Sequence, residues 1–175
     1  MHQFLEKKIT KHLIIVLSIF TGLLTSCLDE EVCEDVATVP VRMGFYYQQQ
    51  DMDEPTPQSI DSLTLFALGN DSILYNNQYN VSQVELPLNS TTDSTAFVIK
   101  WPAPPEFIVL DTLWIHYKRL PNLISMDCGF VTFYDIEYFY HTENIIDTLE
   151  QESSNIRNTL DEHFKMYPDL ADDEP

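Results

Sequence analysis

Apolar and polar residues alternate with period two along most of the chain after residue 38, and that period belongs to half-buried strands. Val39, Val41, Met43, Phe45 and Tyr47 share one face, with Arg42, Gly44 and Gln48 opposite. Pro40 suits a strand start or an edge. A polar stretch, QQQDMDEPTPQS, interrupts the pattern at residues 48–59. Strand-like runs follow at 63–68 and 73–75, separated by Gly69-Asn70-Asp71, which has turn chemistry. Val84, Leu86 and Leu88 alternate with Glu85, Pro87 and Asn89. Phe97, Ile99 and Trp101 make the next inward face, closed by Pro102, Pro104 and Pro105. Leu113, Ile115 and Tyr117 alternate with Thr112, Trp114 and His116. The longest run is 129–141. It places Phe130, Thr132, Tyr134, Ile136, Tyr138 and Tyr140 on one face and Val131, Phe133, Asp135, Glu137 and Phe139 on the other. A further strand is expected at 145–150. The end is ambiguous: Ile156, Leu160, His163, Phe164 and Tyr167 have helical spacing, while Phe164 and Met166 alternate with His163 and Lys165. Short strands between turn signals predict an all-β domain over residues 39–167. The expected form is an antiparallel β-sandwich, immunoglobulin-like or transthyretin-like, or a small barrel.

The N-terminus follows a different rule. Lys7, Lys8 and Lys11 precede an apolar run of 12 residues, LIIVLSIFTGLL, at 13–24. A comfortable membrane span takes about 20 residues, so a helical signal segment over 1–26 fits better. Leu24-Thr25-Ser26-Cys27 then looks like a bacterial lipobox. In that type of signal the chain is cut before the Cys, whose thiol is diacylated and whose new amine is acylated. Two or three acyl chains hold a protein almost permanently, at about 0.8 kcal/mol per buried CH₂. Cys27 is therefore the expected lipidation site, and 27–38 an acidic tether. Leu28 rather than Asp follows the Cys, and Asp29, Glu30 and Glu31 come next. That cluster is similar to the export signal of Bacteroidetes-type surface lipoproteins. The expected location is the outer membrane, lipid-anchored, on the periplasmic or the cell-surface side.

Charge sharpens this. The chain has 9 Lys+Arg against 28 Asp+Glu, a net −19. Cleavage before Cys27 would remove three lysines and Glu6, taking the mature chain to −21. A chain so acidic lacks the basic face that phosphate binding needs, so nucleic acid is not an expected partner. Near anionic headgroups it would stand off on its tether, with the residues at 168–175 as an acidic tail. With Cys27 lipidated, Cys33 and Cys128 remain. An oxidising compartment and an even count point to one disulfide across 95 positions. The chain-entropy model gives such a loop roughly 4–5 kcal/mol.

Catalytic motifs are missing. There is no G-x-S-x-G, H-E-x-x-H or P-loop, no C-x-x-C and no Cys/His spacing for zinc. His116, His141 and His163 lie far apart in sequence. Asp51, Asp53 and Glu54 have D-x-D spacing but no Gly at the calcium-loop turn, which makes them a solvated loop. No enzyme activity, cofactor or metal is expected. Asp precedes Ser62, Ser72, Ser94, Thr112 and Thr148, each followed by a hydrophobic residue or Thr. The triplet is similar to an O-glycosylation acceptor motif of Bacteroidetes-type envelope proteins. It is also ordinary turn-to-strand chemistry.

The stretches TVPVRMGFY, LTLFALGNDSILYNN, VELPLNSTTDSTAFVI, DTLWIHY, MDCGF and HFKMY together resemble an uncharacterised family of Bacteroidetes-type lipoproteins, a domain of unknown function. The resemblance covers roughly residues 33–167, places Cys33 and Cys128 at the family's cysteine pair, and implies a strand at 163–167. It carries no activity. The expected function is a non-enzymatic binding or accessory subunit of an outer-membrane assembly. Its partner would be an outer-membrane β-barrel or another envelope protein, met through edge strands or through Trp101, Trp114, Tyr46 and Tyr138. The alternative is a carbohydrate-binding surface module, which calls for two or three coplanar aromatic rings on an exposed face with carboxylates nearby.

Overall fold

The computed structural model describes residues 39–48, 54–69, 72–102, 107–126 and 129–170. The signal segment, Cys27, Cys33, Cys128, Asp51 and Asp53 lie outside the described residues. Alternation becomes strands almost everywhere it was legible. These are β1 (Pro40–Tyr47), β2 (Thr56–Pro57), β3 (Leu63–Ala67), β4 (Ile73–Gln78), β5 (Gln83–Pro87), β6 (Ser94–Lys100), β7 (Leu110–Ser125), β8 (Gly129–His141), β9 (Ile146–Gln151), β10 (Asn155–Ile156) and β11 (Phe164–Pro168). The C-terminal apolar residues therefore take the period-two option, and Phe164 and Met166 are fully buried.

Two sheets enclose one core. The first runs β2-β1-β11-β9, with β5 also paired to β1. The second runs β10-β8-β7-β6-β3-β4. Neighbours are antiparallel except β1 and β11, which pair in parallel, Met43 opposite Phe164. Val41, Met43, Phe45, Val84 and Leu86 from the first sheet meet Leu65, Phe97, Ile99, Leu113 and Ile115 from the second in a single buried cluster. Each such side chain, fully buried, stabilises the fold by roughly 1.5–3 kcal/mol. The fold is all-β and sandwich-like.

The predicted faces of β8 need correction. Tyr134 and Ile136 point inward, but Tyr138 and Tyr140 are exposed and Phe139 packs on the core, edge-on to Phe164 at 4.9 Å. The cause is a bulge. Tyr117 pairs with Ile136 and His116 with Tyr138, so Glu137 has no opposite number. One extra residue reverses every side chain beyond it. A second departure is the length of β7, which continues through Pro121. β6 pairs only with residues 110–116 of β7. Beyond that β8 is the only strand paired with β7 among the described residues, so a residue without an N–H is tolerated on the other side.

Asp111 is fully buried at the start of β7. Its carboxylate accepts from Trp101 Nε1 (2.8 Å), Thr142 Oγ1 (2.6 Å), and the backbone N–H groups of Asn144 (2.9 Å), Ile145 (2.8 Å) and Ile146 (3.2 Å). Burial pushes its pKa up, and the hydrogen bonds from Thr142, Asn144, Ile145 and Trp101 together outweigh that, leaving it below the usual carboxylate value. His163, the other fully buried polar residue, accepts the Arg42 N–H at Nδ1 (2.9 Å), so its proton sits on Nε2. Burial, then the charge of Arg42, holds it below the ordinary imidazole value.

Replacing Asp111 by Asn leaves donors facing a donor and should destabilise the fold by roughly 3 kcal/mol. A depressed carboxylate contributes stability above its unfolded pKa, about 3.9, and loses it as pH falls through the lower folded value. The melting-temperature gap between wild type and Asp111→Asn should therefore be steady above about pH 4 and narrow below it. A gap unchanged down to about pH 2 would contradict this role.

Candidate functional site

On the outer face of the second sheet, β7 and β8 place Trp114 opposite Tyr140 and His116 opposite Tyr138. The rings stack. Trp114–Tyr140 centroids are 4.8 Å apart with planes at 15°, His116–Tyr138 are 4.2 Å apart at 13°, and His116–Tyr140 are 5.8 Å apart at 23°. Cross-strand pairs of this kind contribute roughly 0.2–1 kcal/mol each. The Glu137 bulge creates the ladder, since it turns Tyr138 and Tyr140 outward onto the face of Trp114 and His116.

This is not the coplanar platform that a flat sugar-stacking surface would need. Tyr140 and His116 are covered on both faces by their neighbours. Trp114 and Tyr138 are the end rings of the described stack, each with one stacked ring neighbour. On the far side of Trp114 the cross-strand neighbour is Ala96, whose methyl is too small to cover an indole.

A groove of about 780 Å³ opens at that point, where β6 runs past the end of β3. Its walls are the β3–β4 turn, with Leu68, Gly69, Ser72 and Leu74, and the β5–β6 connection, with Leu88, Asn89, Ser90 and Thr92. Ser94, Thr95 and Ala96 form the floor and Trp114 one flank. Among the described residues no charged side chain lines it. Thr95 is engaged with Tyr117 and the Asn89 N–H, and Asn89 Oδ1 accepts from Thr91. Among the described residues, Ser90 Oγ, Ser94 Oγ and Asn89 Nδ2 have no partner.

The outer face of the first sheet is built differently. Tyr46 donates to Glu162 (2.8 Å), Tyr167 to Glu150 (2.9 Å), and Lys165 pairs with Glu152 (3.0 Å) while lying over the Tyr46 ring. Burial, then the glutamate hydrogen bond, raises both tyrosines to about 12. A β-carbon at Gly44 would meet the Glu162 carboxylate and the Tyr46 ring, so a larger residue there would have to displace them. The Tyr46 and Tyr167 rings are tilted by 43°. This face is satisfied by its own ion pairs and hydrogen bonds.

A third surface is the far end of the β7–β8 hairpin. Beyond residue 119 the two strands form a ribbon whose Leu123, Ile124, Met126 and Phe130 are exposed, Met126 to 89% and Phe130 to 74%. Gly129 supplies the positive φ (72°) that its turn needs. Along the ribbon, Val39 shares a cavity of about 190 Å³ with Phe130, Val131, Thr132 and Tyr134.

The predicted residues scatter among these surfaces. Trp101 is not an exposed contact: it is 1% exposed and spent on Asp111. Tyr46 is half-buried under Glu162, whereas Trp114 and Tyr138 stand in the ladder. His116 is a ladder ring, His141 is half-buried against Thr142, and His163 is buried. Among the described residues no carboxylate is hydrogen-bonded to any of the three. Of the hydroxyls that follow Asp, Ser72, Ser94 and Thr148 are exposed, and Ser62 and Thr112 are half-buried. Ser72 and Ser94 both line the groove. Glu54 is exposed. No group of three or more His, Cys, Asp or Glu among the described residues could hold a metal. The reading of residues one at a time missed Asp111, Ala96 and Tyr140. Alternating aromatics at 114 and 116 and at 138 and 140 were the available signal, usable only with the bulge known.

No curated protein and no solved structure matches the chain. A family model matches residues 62–168, from the approach to β3 to the end of β11, and so takes in the ladder, the groove and the ribbon. The chain belongs to the family of unknown function DUF6452.

Proposed function

We propose that the protein is a lipid-anchored, non-enzymatic binding subunit of an outer-membrane assembly of the Bacteroidetes type, held by acylated Cys27 and engaging a protein partner through the β7–β8 ribbon. The carrying observation is the ribbon itself. Leu123, Ile124, Met126 and Phe130 put apolar surface into water on a two-stranded element that projects past its sheet. Clustered apolar exposure marks interaction surfaces, and two strands alone are marginally stable in water. The outer face of the first sheet is closed by its own ion pairs and hydrogen bonds, whereas burying the ribbon's apolar side chains against another protein would remove them from water.

Val39, which follows the tether, sits beside Phe130 and Val131. A disulfide between Cys33 and Cys128 would join the tether to the β7–β8 turn, two residues before Phe130.

Three measurements test this reading. Cys27→Ser should move the protein from the membrane to the soluble envelope fraction, and unchanged membrane association would remove the anchor. That soluble variant, denatured without reductant, should show no reactive thiol, whereas two free thiols would remove the staple. A photo-crosslinking residue at Phe130 in the native envelope should give a discrete heavier adduct, and one at exposed Glu137 should not. Equal labelling at both positions, or none at Phe130, would overturn the partner surface.

A further inference from the structure

We propose that the groove beside Trp114 binds a neutral oligosaccharide, with one pyranose ring laid on the free face of the indole. At about 780 Å³ the groove lies within the roughly 300–1,000 Å³ of small-ligand sites. Its chemistry suits a pyranose. A sugar ring has an apolar C–H face and a rim of hydroxyls. Trp114 offers an apolar ring held rigid by Tyr140 behind it, so little side-chain freedom is lost on binding. Ser90 Oγ, Ser94 Oγ and Asn89 Nδ2 are hydrogen-bonding groups without partners in the described residues, placed where a hydroxyl rim would meet them. Among the described residues the lining carries no charge, and the chain is strongly acidic, which disfavours sulfated or carboxylated glycans and favours neutral ones.

The site goes beyond the protein-partner reading and does not depend on it, since the ribbon can fail while the groove binds, and the reverse. Soluble Cys27→Ser protein would be titrated with maltohexaose, mannohexaose, xylohexaose and chitohexaose, with heparin as the anionic probe, while tryptophan emission is followed. Trp101 is buried and fixed to Asp111, so a change reports Trp114. At least one neutral probe should give a saturable change, and heparin none. Ala96→Leu, which fills the space against the free indole face without touching the hydroxyl groups, should weaken binding at least about tenfold. Trp114→Ala should abolish it, and Ala96→Leu keeps the test valid if removing the indole disturbs the ladder. No saturable change with any neutral probe up to about 10 mM, binding unaffected by Ala96→Leu, or binding to heparin instead would overturn the proposal.

Discussion

The sandwich depends on a carboxylate that has no access to water. When β8 ends in the second sheet, the chain must cross to β9 in the first, and the turn that carries it turns backbone N–H groups inward. A buried N–H without an acceptor costs about as much as a lost hydrogen bond. Asp111 takes three of these N–H groups, from residues 144–146, together with Thr142 Oγ1 and the indole N–H of Trp101. One side chain thus joins the start of β7, the end of β6 and the crossover between the sheets. The largest aromatic in the core, Trp101, is oriented by the same carboxylate, and its ring meets Phe45 of the first sheet edge-on at 6.2 Å.

Burial in β1, β5, β6 and the first half of β7 was legible because each of these strands has one wet face and one dry face, which period-two reading detects. Val84 and Leu86, Phe97 and Ile99, Leu113 and Ile115 all point where alternation puts them. β8 was legible as a strand but not in its facing, because nothing local in Tyr-Asp-Ile-Glu-Tyr announces a bulge at Glu137. That bulge is defined by the partner strand. β2 and β10 are two residues each and leave no periodic trace. The parallel pairing of β1 with β11 joins the two ends of the domain and is set by closure of the core. Asp111 has the sequence context of the four other Asp residues that precede Ser or Thr, yet it alone among the described ones is buried. Distinguishing it needs Trp101 and residues 142–146, which are remote in sequence.

The same limit hid the groove. Its residues come from the β3–β4 turn, the β5–β6 connection, β6 and β7, and no window of sequence contains them together. Ala96 matters through its smallness, a property that becomes informative only opposite Trp114. The acidic charge was plain from composition, but its distribution was not. On the first sheet the carboxylates are tied to Tyr46, Tyr167, Lys165 and Arg42. Four glutamates therefore serve a surface network on that sheet, and the described lining of the groove carries no charge.

β7 and β8 carry both surfaces that remain unsatisfied, and they do so because they outgrow their sheet. Where β6 pairs with β7, the outward rings of β7 and β8 can stack into a ladder, and the last ring of that ladder faces the gap left by Ala96. Beyond the pairing with β6, the same two strands continue as a ribbon whose Leu123, Ile124, Met126 and Phe130 reach solvent while Val131 stays in the core. The bulge at Glu137 separates the regions. On the sheet side it turns Tyr138 and Tyr140 outward, and on the ribbon side it keeps Tyr134 and Ile136 in the core. Without that extra residue, a single register would send Tyr138 and Tyr140 inward against the first sheet and Phe139 into water, losing both the ladder and the Phe139–Phe164 contact. One unpaired residue in the longest hairpin thus fixes which aromatic rings the protein buries and which it presents.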